Sequence, residues 1–385
     1  MRLRTPSKRP VAATGTAVTL LIALGLTAAC GSSGSAKSTA AGGAGYSAPT
    51  PAGTPTSAGT STSSPAASGD HQVSFVVNGT TTYGTLHIPQ NPTGSMPAAL
   101  LLAGSGPTDR NGNQPPQLMP DTLQDIATLM GDDGIMTLRF DQYGSGQTGL
   151  GAYASNPSSL TLSALVQQAD TAYQFLAGQA GADPKRLLIA GHSQGGMIAL
   201  EVDQNAKPTV AGLALLEPQD ERLLDLATLQ LDEQLNAGVS AGQLSSAQAA
   251  TVKTAIANGV SNIRAGKPAA TTGMPTSFAA AFQDFNANLA FVQTSDAVYP
   301  PSLAGKVPAS TKVMVTCGTA DTNVPCSTTG PLVSALKTAG TGGPGLVTLS
   351  NVNHLLQPAG SPASTTTLAP AAQQAIHTFD QLWKQ

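Results

Sequence analysis

Hydrophobic and polar residues change their rhythm several times along this chain, and each change predicts an element. Residues 73–77 and 82–88 flank Asn78-Gly79, a pattern for a β-hairpin whose turn accepts positive φ. Residues 97–103 form an unbroken apolar run, as in a strand buried on both faces. From residue 121 the period lengthens: Leu123, Ile126, Leu129 and Met130 fall on one helical face, with Asp121 at the N-cap. Strands are then predicted at 135–140, 186–191 and 210–216, with a helix over 160–180 between the first two. Strands alternating with helices over this length predict an α/β fold, a mostly parallel sheet covered by helices on both faces.

After Glu217 the alternation stops. Three helical patterns follow in succession, carried by Leu223, Leu226 and Leu229, then Leu244, Val252 and Ile256, then Phe278, Phe282, Phe285 and Leu289. Phe278, Phe282, Phe285 and Phe291 are half of the 8 phenylalanines, and as a group they suggest a helical cap over about 219–305 whose inner face lines an apolar pocket. Helical hydrophobes that form the cap's own core are the alternative. The sheet resumes at 312–316, followed by a helix at 331–338, a strand at 346–349 and a closing helix over 370–383 opened by Pro370.

The N-terminus has a different grammar. Arg2, Arg4, Lys8 and Arg9 precede an apolar stretch over 11–29 that ends Leu26-Thr27-Ala28-Ala29-Cys30. This predicts an export signal. Its basic start, apolar core and small residues before a cysteine resemble the bacterial lipoprotein signal, which implies lipidation of Cys30 and attachment to the outer face of the cell membrane. Plain cleavage with secretion, or a membrane-spanning anchor, are the alternatives. Residues 31–69 are almost wholly Ser, Thr, Gly, Ala and Pro, a composition that cannot bury enough apolar surface to fold and so predicts a flexible tether. A single catalytic domain is expected over 70–385.

Charge adds an exclusion. With 10% charged residues and a formal net charge of −3, the 385-residue chain offers no electrostatic footing for nucleic acid. If Cys30 is lipidated, Cys317 and Cys326 are natural disulfide partners in an oxidising compartment, two buried thiols being the alternative.

The chemistry centres on Gly191-His192-Ser193-Gln194-Gly195, placed between the 186–191 strand and a helix-compatible run. Strand, Gly-x-Ser-x-Gly and helix together describe a nucleophile elbow, in which a sharp turn lifts a serine Oγ clear of the sheet. A serine needs a base and a group to orient that base, in the order Ser, acid, His for this topology. His354 follows the last strand and is the expected base, whereas His377 falls within the closing helix. Asp321 follows the 312–316 strand and is the expected acid, with Glu217, at the end of the preceding strand, as its competitor. The two oxyanion donors are expected to be the backbone N–H of Gln194 and that of Ser105, in the Gly104-Ser105-Gly106-Pro107 loop.

The run Leu102 to Asn113, the run Arg139 to Gly146, the elbow, Gly318-Thr319-Ala320-Asp321 and Asn353-His354 together resemble bacterial α/β-hydrolases of the esterase and serine-aminopeptidase-like branch, over residues 72–384. Ala103-Gly104 replaces the usual His-Gly before the oxyanion loop, as in the Gly-Ser-Gly-Pro members of that branch. The resemblance implies an α/β-hydrolase fold with a helical cap and a carboxylic-ester hydrolase without metal or other cofactor. A small acyl ester is then the expected substrate and a monomer the expected state, with a peptidase or amidase, or a non-catalytic binding module, as alternatives. Asp109, Arg110 and Asp141 are expected to fix loops.

Overall fold

The structure, a computed structural model, describes residues 67–90, 92, 94–362 and 364–384. The export signal, Cys30 and all but the last residues of the expected tether lie outside them. Strands β1 (Gly69–Val77) and β2 (Thr80–Ile88) form the hairpin, with Asn78 and Gly79 both at positive φ (49° and 77°) as a right-twisted two-residue turn requires. Then come β3 (Met96–Leu102), α1 (Thr122–Asp132), β4 (Met136–Phe140), α2 (Leu162–Ala177), β5 (Ala182–His192), α3 (Gln194–Asp203) and β6 (Gly212–Leu216). After five cap helices, β7 (Lys312–Gly318), α9 (Gly330–Ala339), β8 (Gly342–Leu349) and α10 (Pro370–Asp380) complete the domain.

These strands make one sheet in the order β1-β2-β4-β3-β5-β6-β7-β8, antiparallel at the β1/β2 and β2/β4 pairings and parallel from β4 onward. The unbroken apolar runs follow from two covered faces. Leu100, Leu138, Ile189 and Leu213 point to the side of α2, α3 and the cap, while their neighbours Leu101, Leu188 and Ala214 point to α1 and α10. The C-terminal ends of β3, β5, β7 and β8 therefore open on one edge, where the loops that carry chemistry in such sheets gather.

Two local expectations are corrected. Asp121 stands before α1 but does not cap it: at φ 50° its side chain accepts from Asn113 Nδ2 at 2.6 Å, and its N–H donates to Asn113 Oδ1 at 2.8 Å. The carboxylate fastens the preceding loop instead of the helix. The cap has five helices and not three: α4 (Leu223–Ser240), α5 (Ser246–Arg264), α6 (Thr276–Ala287), α7 (Leu289–Asp296) and α8 (Pro300–Ala304). The third apolar pattern is split at Asn288, whose backbone (φ −116°, ψ 36°) leaves the helical region, so Phe291 belongs to a separate helix.

The cap is tied together by Asp296. It pairs with Arg264 at 2.8 Å and accepts from the Leu224 N–H at 2.9 Å, joining α7 to α5 and to the start of α4. Phe278, Phe282 and Phe285 are buried inside it, Phe282 edge-on to Phe285 and so close to Gly259 that a Cβ there would sit 2.7 Å from its ring. Phe278, Phe282 and Phe285 are thus part of the cap's own core, and Phe291 lines a cavity beside Gln194.

Candidate active site

Ser193 sits between β5 and α3 at φ 54°, ψ −122°, a strained conformation for a residue with a side chain that costs about 1–3 kcal/mol. Its neighbours hold it there. The Ser193 N–H donates to Leu216 O at 3.0 Å, and its carbonyl accepts from Gly196 N and Gln219 N at 2.9 Å each. A Cβ on Gly191 would run into the Gly195 backbone and one on Gly195 into the Leu102 and Ala103 carbonyls, so the elbow closes only with glycine at both places.

His354 lies on the loop after β8. Asn353 shapes that loop: its Oδ1 accepts from Leu355 N and Gln357 N at 3.0 Å each, an Asx turn that presents the next residue. His354 Nε2 is 2.9 Å from Ser193 Oγ, and its Nδ1 is 2.7 Å from Asp321 Oδ2. An ionised carboxylate only accepts, so Nδ1 carries the proton and Nε2 offers its lone pair to the serine hydroxyl. Burial works against the imidazolium, but the charge and hydrogen bond of Asp321 outweigh it and raise the His354 pKa above its ordinary value of 6.5.

Asp321 is buried on the loop after β7, and its Oδ1 accepts from the N–H groups of Asn323 at 2.7 Å and Val324 at 2.9 Å. A disulfide between Cys317 and Cys326, with Cα atoms 5.4 Å apart, encloses that loop. Glu217 does not reach the imidazole through any hydrogen bond. Its Oε2 accepts from Gly318 N at 2.7 Å, and burial, reinforced by the charge of Asp321, pushes its pKa up to about 8. The competitor supports the start of the acid loop through Gly318 and makes no hydrogen bond to His354.

Sequence reasoning gave no role to His192. Its Nε2 is 2.7 Å from the carbonyl of His354, and since a carbonyl can only accept, Nε2 carries the proton. Burial, with a smaller contribution from His354, lowers its pKa to about 4, so the ring is neutral. The signal was in view, within the elbow motif, but a residue whose task is to hold a distant backbone oxygen leaves no spacing pattern.

Two small cavities lie at the elbow, one lined by Ser193 and the other by Gln194. One, about 40 Å³, is lined by Gly104, Ser105, Gln114, Ser193, His354 and Leu355. The other, about 20 Å³, is apolar and lined by Pro107, Tyr143, Leu160, Leu165, Gln194 and Phe291. Ser105 thus lines the cavity that holds Ser193 and His354, and Gln194, the next residue after the nucleophile, lines the apolar one. Larger clefts of about 310 and 440 Å³ touch neither Ser193 nor His354. The second of them is walled by Arg110 and Asp141, which pair at 2.7 Å, and by Asp109, whose Oδ1 accepts from Asn111 N at 2.8 Å and Asn113 N at 3.0 Å. Those three motif residues fasten loops.

Residues 89–363 match the model of the alpha/beta hydrolase family. With the eight-stranded sheet and the elbow in place, the chain belongs to that family. Among solved structures it is similar to Est1E from Butyrivibrio proteoclasticus with bound ferulic acid, at 15% identity and a TM-score of 0.51, covering 81% of this chain and 98% of that one. It is also similar to the esterase PF2001 of Pyrococcus furiosus, at 12% identity and TM-score 0.51, with 82% and 91% covered. A puromycin hydrolase gives 16% identity and TM-score 0.51, with 82% of this chain but 39% of the other covered. At these identities the likeness is one of fold. No curated protein matches the chain.

Proposed function

We propose that this protein is a serine hydrolase that cleaves carboxylic esters through a covalent acyl-enzyme. The observation that carries the reading is the unbroken line Ser193 Oγ, His354 Nε2, His354 Nδ1, Asp321 Oδ2, with contacts of 2.9 and 2.7 Å. His354 takes the hydroxyl proton as Oγ attacks the ester carbonyl, and Asp321 stabilises the imidazolium that forms. The N–H groups of Ser105 and Gln194 receive the oxyanion. His354 then gives its proton to the leaving alcohol, and in the second half activates the water that releases the acid. Because His354 must protonate the alcohol, the alcohol leaves on its side of Ser193 and the acyl group lies toward Gln194, Tyr143 and Phe291.

An ester is favoured over an aminoacyl amide because neither cavity at the elbow is lined by Asp or Glu among the described residues, so neither offers a carboxylate to pair with a free amine. Turnover of p-nitrophenyl esters of increasing chain length, set beside aminoacyl p-nitroanilides, tests this. Ester turnover is expected, and a preference for the anilides would replace the esterase reading with a peptidase.

The site is proposed to work outside the cell membrane, with residues 1–30 as the signal, Cys30 lipidated and residues 31–69 as the tether. The arrangement Leu26 to Cys30 after a basic, apolar start supports this. Intact mass of the mature chain decides it: a start at Cys30 bearing lipid is expected, and a start elsewhere contradicts it.

A further inference from the structure

The oxyanion hole just proposed requires the Ser105 N–H to be held toward Ser193. A Gly-Ser-Gly segment has little stiffness of its own, and Gly106 lies at φ 88°, where alternative peptide orientations are within reach. Something outside the loop must orient it. Gln142, from the turn after β4, donates from Nε2 to Gly104 O at 2.9 Å and to Gly106 O at 2.8 Å, using each of its two amide hydrogens once.

The consequence follows from peptide geometry. In a trans peptide the carbonyl and the next N–H point in opposite directions, so drawing Gly104 O onto Gln142 turns the Ser105 N–H the other way. Gly104 itself packs on the nucleophile: a Cβ there would lie 3.2 Å from that of Ser193. The intervening carbonyl, Ser105 O, is held by Gln114 Nε2 at 2.9 Å and Thr108 Oγ1 at 3.0 Å. Every carbonyl from 104 to 106 is thereby occupied by a side chain, while the Ser105 and Gln194 N–H groups have no acceptor among the described residues.

We propose that Gln142 is a positioning residue of the active site, clamping the Gly104 and Gly106 carbonyls so that the Ser105 N–H is preorganised for the oxyanion. The clamp is itself rigid. Gln142 is buried, its carbonyl accepts from Ser145 N at 3.1 Å and Ser145 Oγ at 2.9 Å, and it follows Asp141, which is locked in a bidentate pair with Arg110. The proposal rests on the serine-hydrolase reading and goes beyond it, because Gln142 touches neither substrate nor triad.

An oxyanion exists only in the transition state, so loosening its donor lowers kcat and leaves KM almost unchanged. Losing a whole donor costs about 10²- to 10³-fold, and a donor left in place but unclamped is expected to cost about 10- to 100-fold. The experiment uses Gln142→Met, which keeps volume but cannot donate, and Gln142→Asn, which keeps the amide but is one methylene too short. Each is measured with a p-nitrophenyl ester and an aminoacyl p-nitroanilide, with kcat expressed per serine labelled at completion by a fluorophosphonate. Affinity for a boronic acid, whose tetrahedral adduct carries the oxyanion-like oxygen, is measured beside it.

The expected result is a fall in kcat per labelled serine, KM within about twofold, an unchanged pH midpoint for kcat/KM, and boronate affinity weakened by the same factor as kcat/KM. If Met at this position prevents folding, the Asn variant decides alone. A folded variant whose kcat per labelled serine stays within about twofold of wild type overturns the role of Gln142 while leaving the hydrolase reading intact. A wild-type protein that turns over neither substrate class overturns both.

Discussion

The imidazole of His192 donates from Nε2 to the backbone carbonyl of His354 at 2.7 Å, so the residue before the nucleophile holds the main chain of the base. This bond crosses from the elbow to the loop after β8 and ties the main chain of the base to the residue beside the nucleophile. It works with His192 neutral, the state that burial favours by lowering the ring's pKa to about 4.

Replacing His192 by Phe keeps a ring but leaves the His354 carbonyl without its donor. An unpaired buried carbonyl costs about 1–3 kcal/mol, so denaturant unfolding should show a loss of that size. kcat/KM should fall about tenfold as the base loop relaxes, and His192→Gln, which can still donate, should recover part of both. Unchanged stability in the Phe variant would remove the bond from the account.

The acid assignment makes a ranked prediction. Asp321→Asn should lower kcat by about 10⁴-fold, because an amide can neither fix the tautomer nor stabilise the imidazolium, whereas Glu217→Gln should cost about tenfold or less. The pH profile checks the same point. His354 must be neutral to accept the proton and its pKa is raised, so kcat/KM of the wild type should climb with a midpoint above 6.5. Losing the Asp321 charge should move that midpoint down. The reverse ranking of the two variants would transfer the role to Glu217.

Most of this centre was legible before the fold was known, and the reason is local. Gly191, Ser193 and Gly195 satisfy a steric demand within five residues, Asp321 lies just past the apolar run of β7, and His354 lies on the loop after β8, of which only the end is apolar. What escaped is what depends on distant partners. Asn113 and Asp121 bind each other, and no capping pattern announces that. Asn288 breaks a helix whose apolar period continues across it, so Phe291 could not be separated from the three phenylalanines of the cap core. Gln142 and His192 act through hydrogen bonds to carbonyls 36 to 162 positions away, and backbone oxygens have no sequence signature.

The two cavities predict how a substrate is divided. A space of about 20 Å³ beside Tyr143, Leu160 and Phe291 holds little more than one water-sized group, for which about 10–15 Å³ is the minimum. Acetyl and propionyl esters should therefore exceed octanoyl esters in kcat/KM. Phe291→Ala should shift the optimum to longer acyl chains and leave the ranking of alcohols unchanged. A shift in alcohol preference instead would exchange the two sides of the site.

The disulfide constrains the acid loop more than the sheet. Linking Cys317 to Cys326, nine positions apart, should restrict the unfolded chain by about 2–3 kcal/mol, and its reduction should depress activity at reductant concentrations that leave circular dichroism unchanged. Free-thiol titration of the unfolded, unreduced protein should find neither cysteine; two titratable thiols would show that the bridge does not form.

The central claim is that Ser193 is the nucleophile, and covalent labelling tests it most directly. A fluorophosphonate should add one adduct to the wild-type protein, located by peptide mass at Ser193, and abolish ester turnover in step with labelling. Ser193→Ala should take up no label, lose at least about 10⁴-fold in kcat, and keep its thermal midpoint, since only one hydroxyl is removed. Undiminished labelling of Ser193→Ala, or an adduct placed at any other residue of the wild type, would contradict the account.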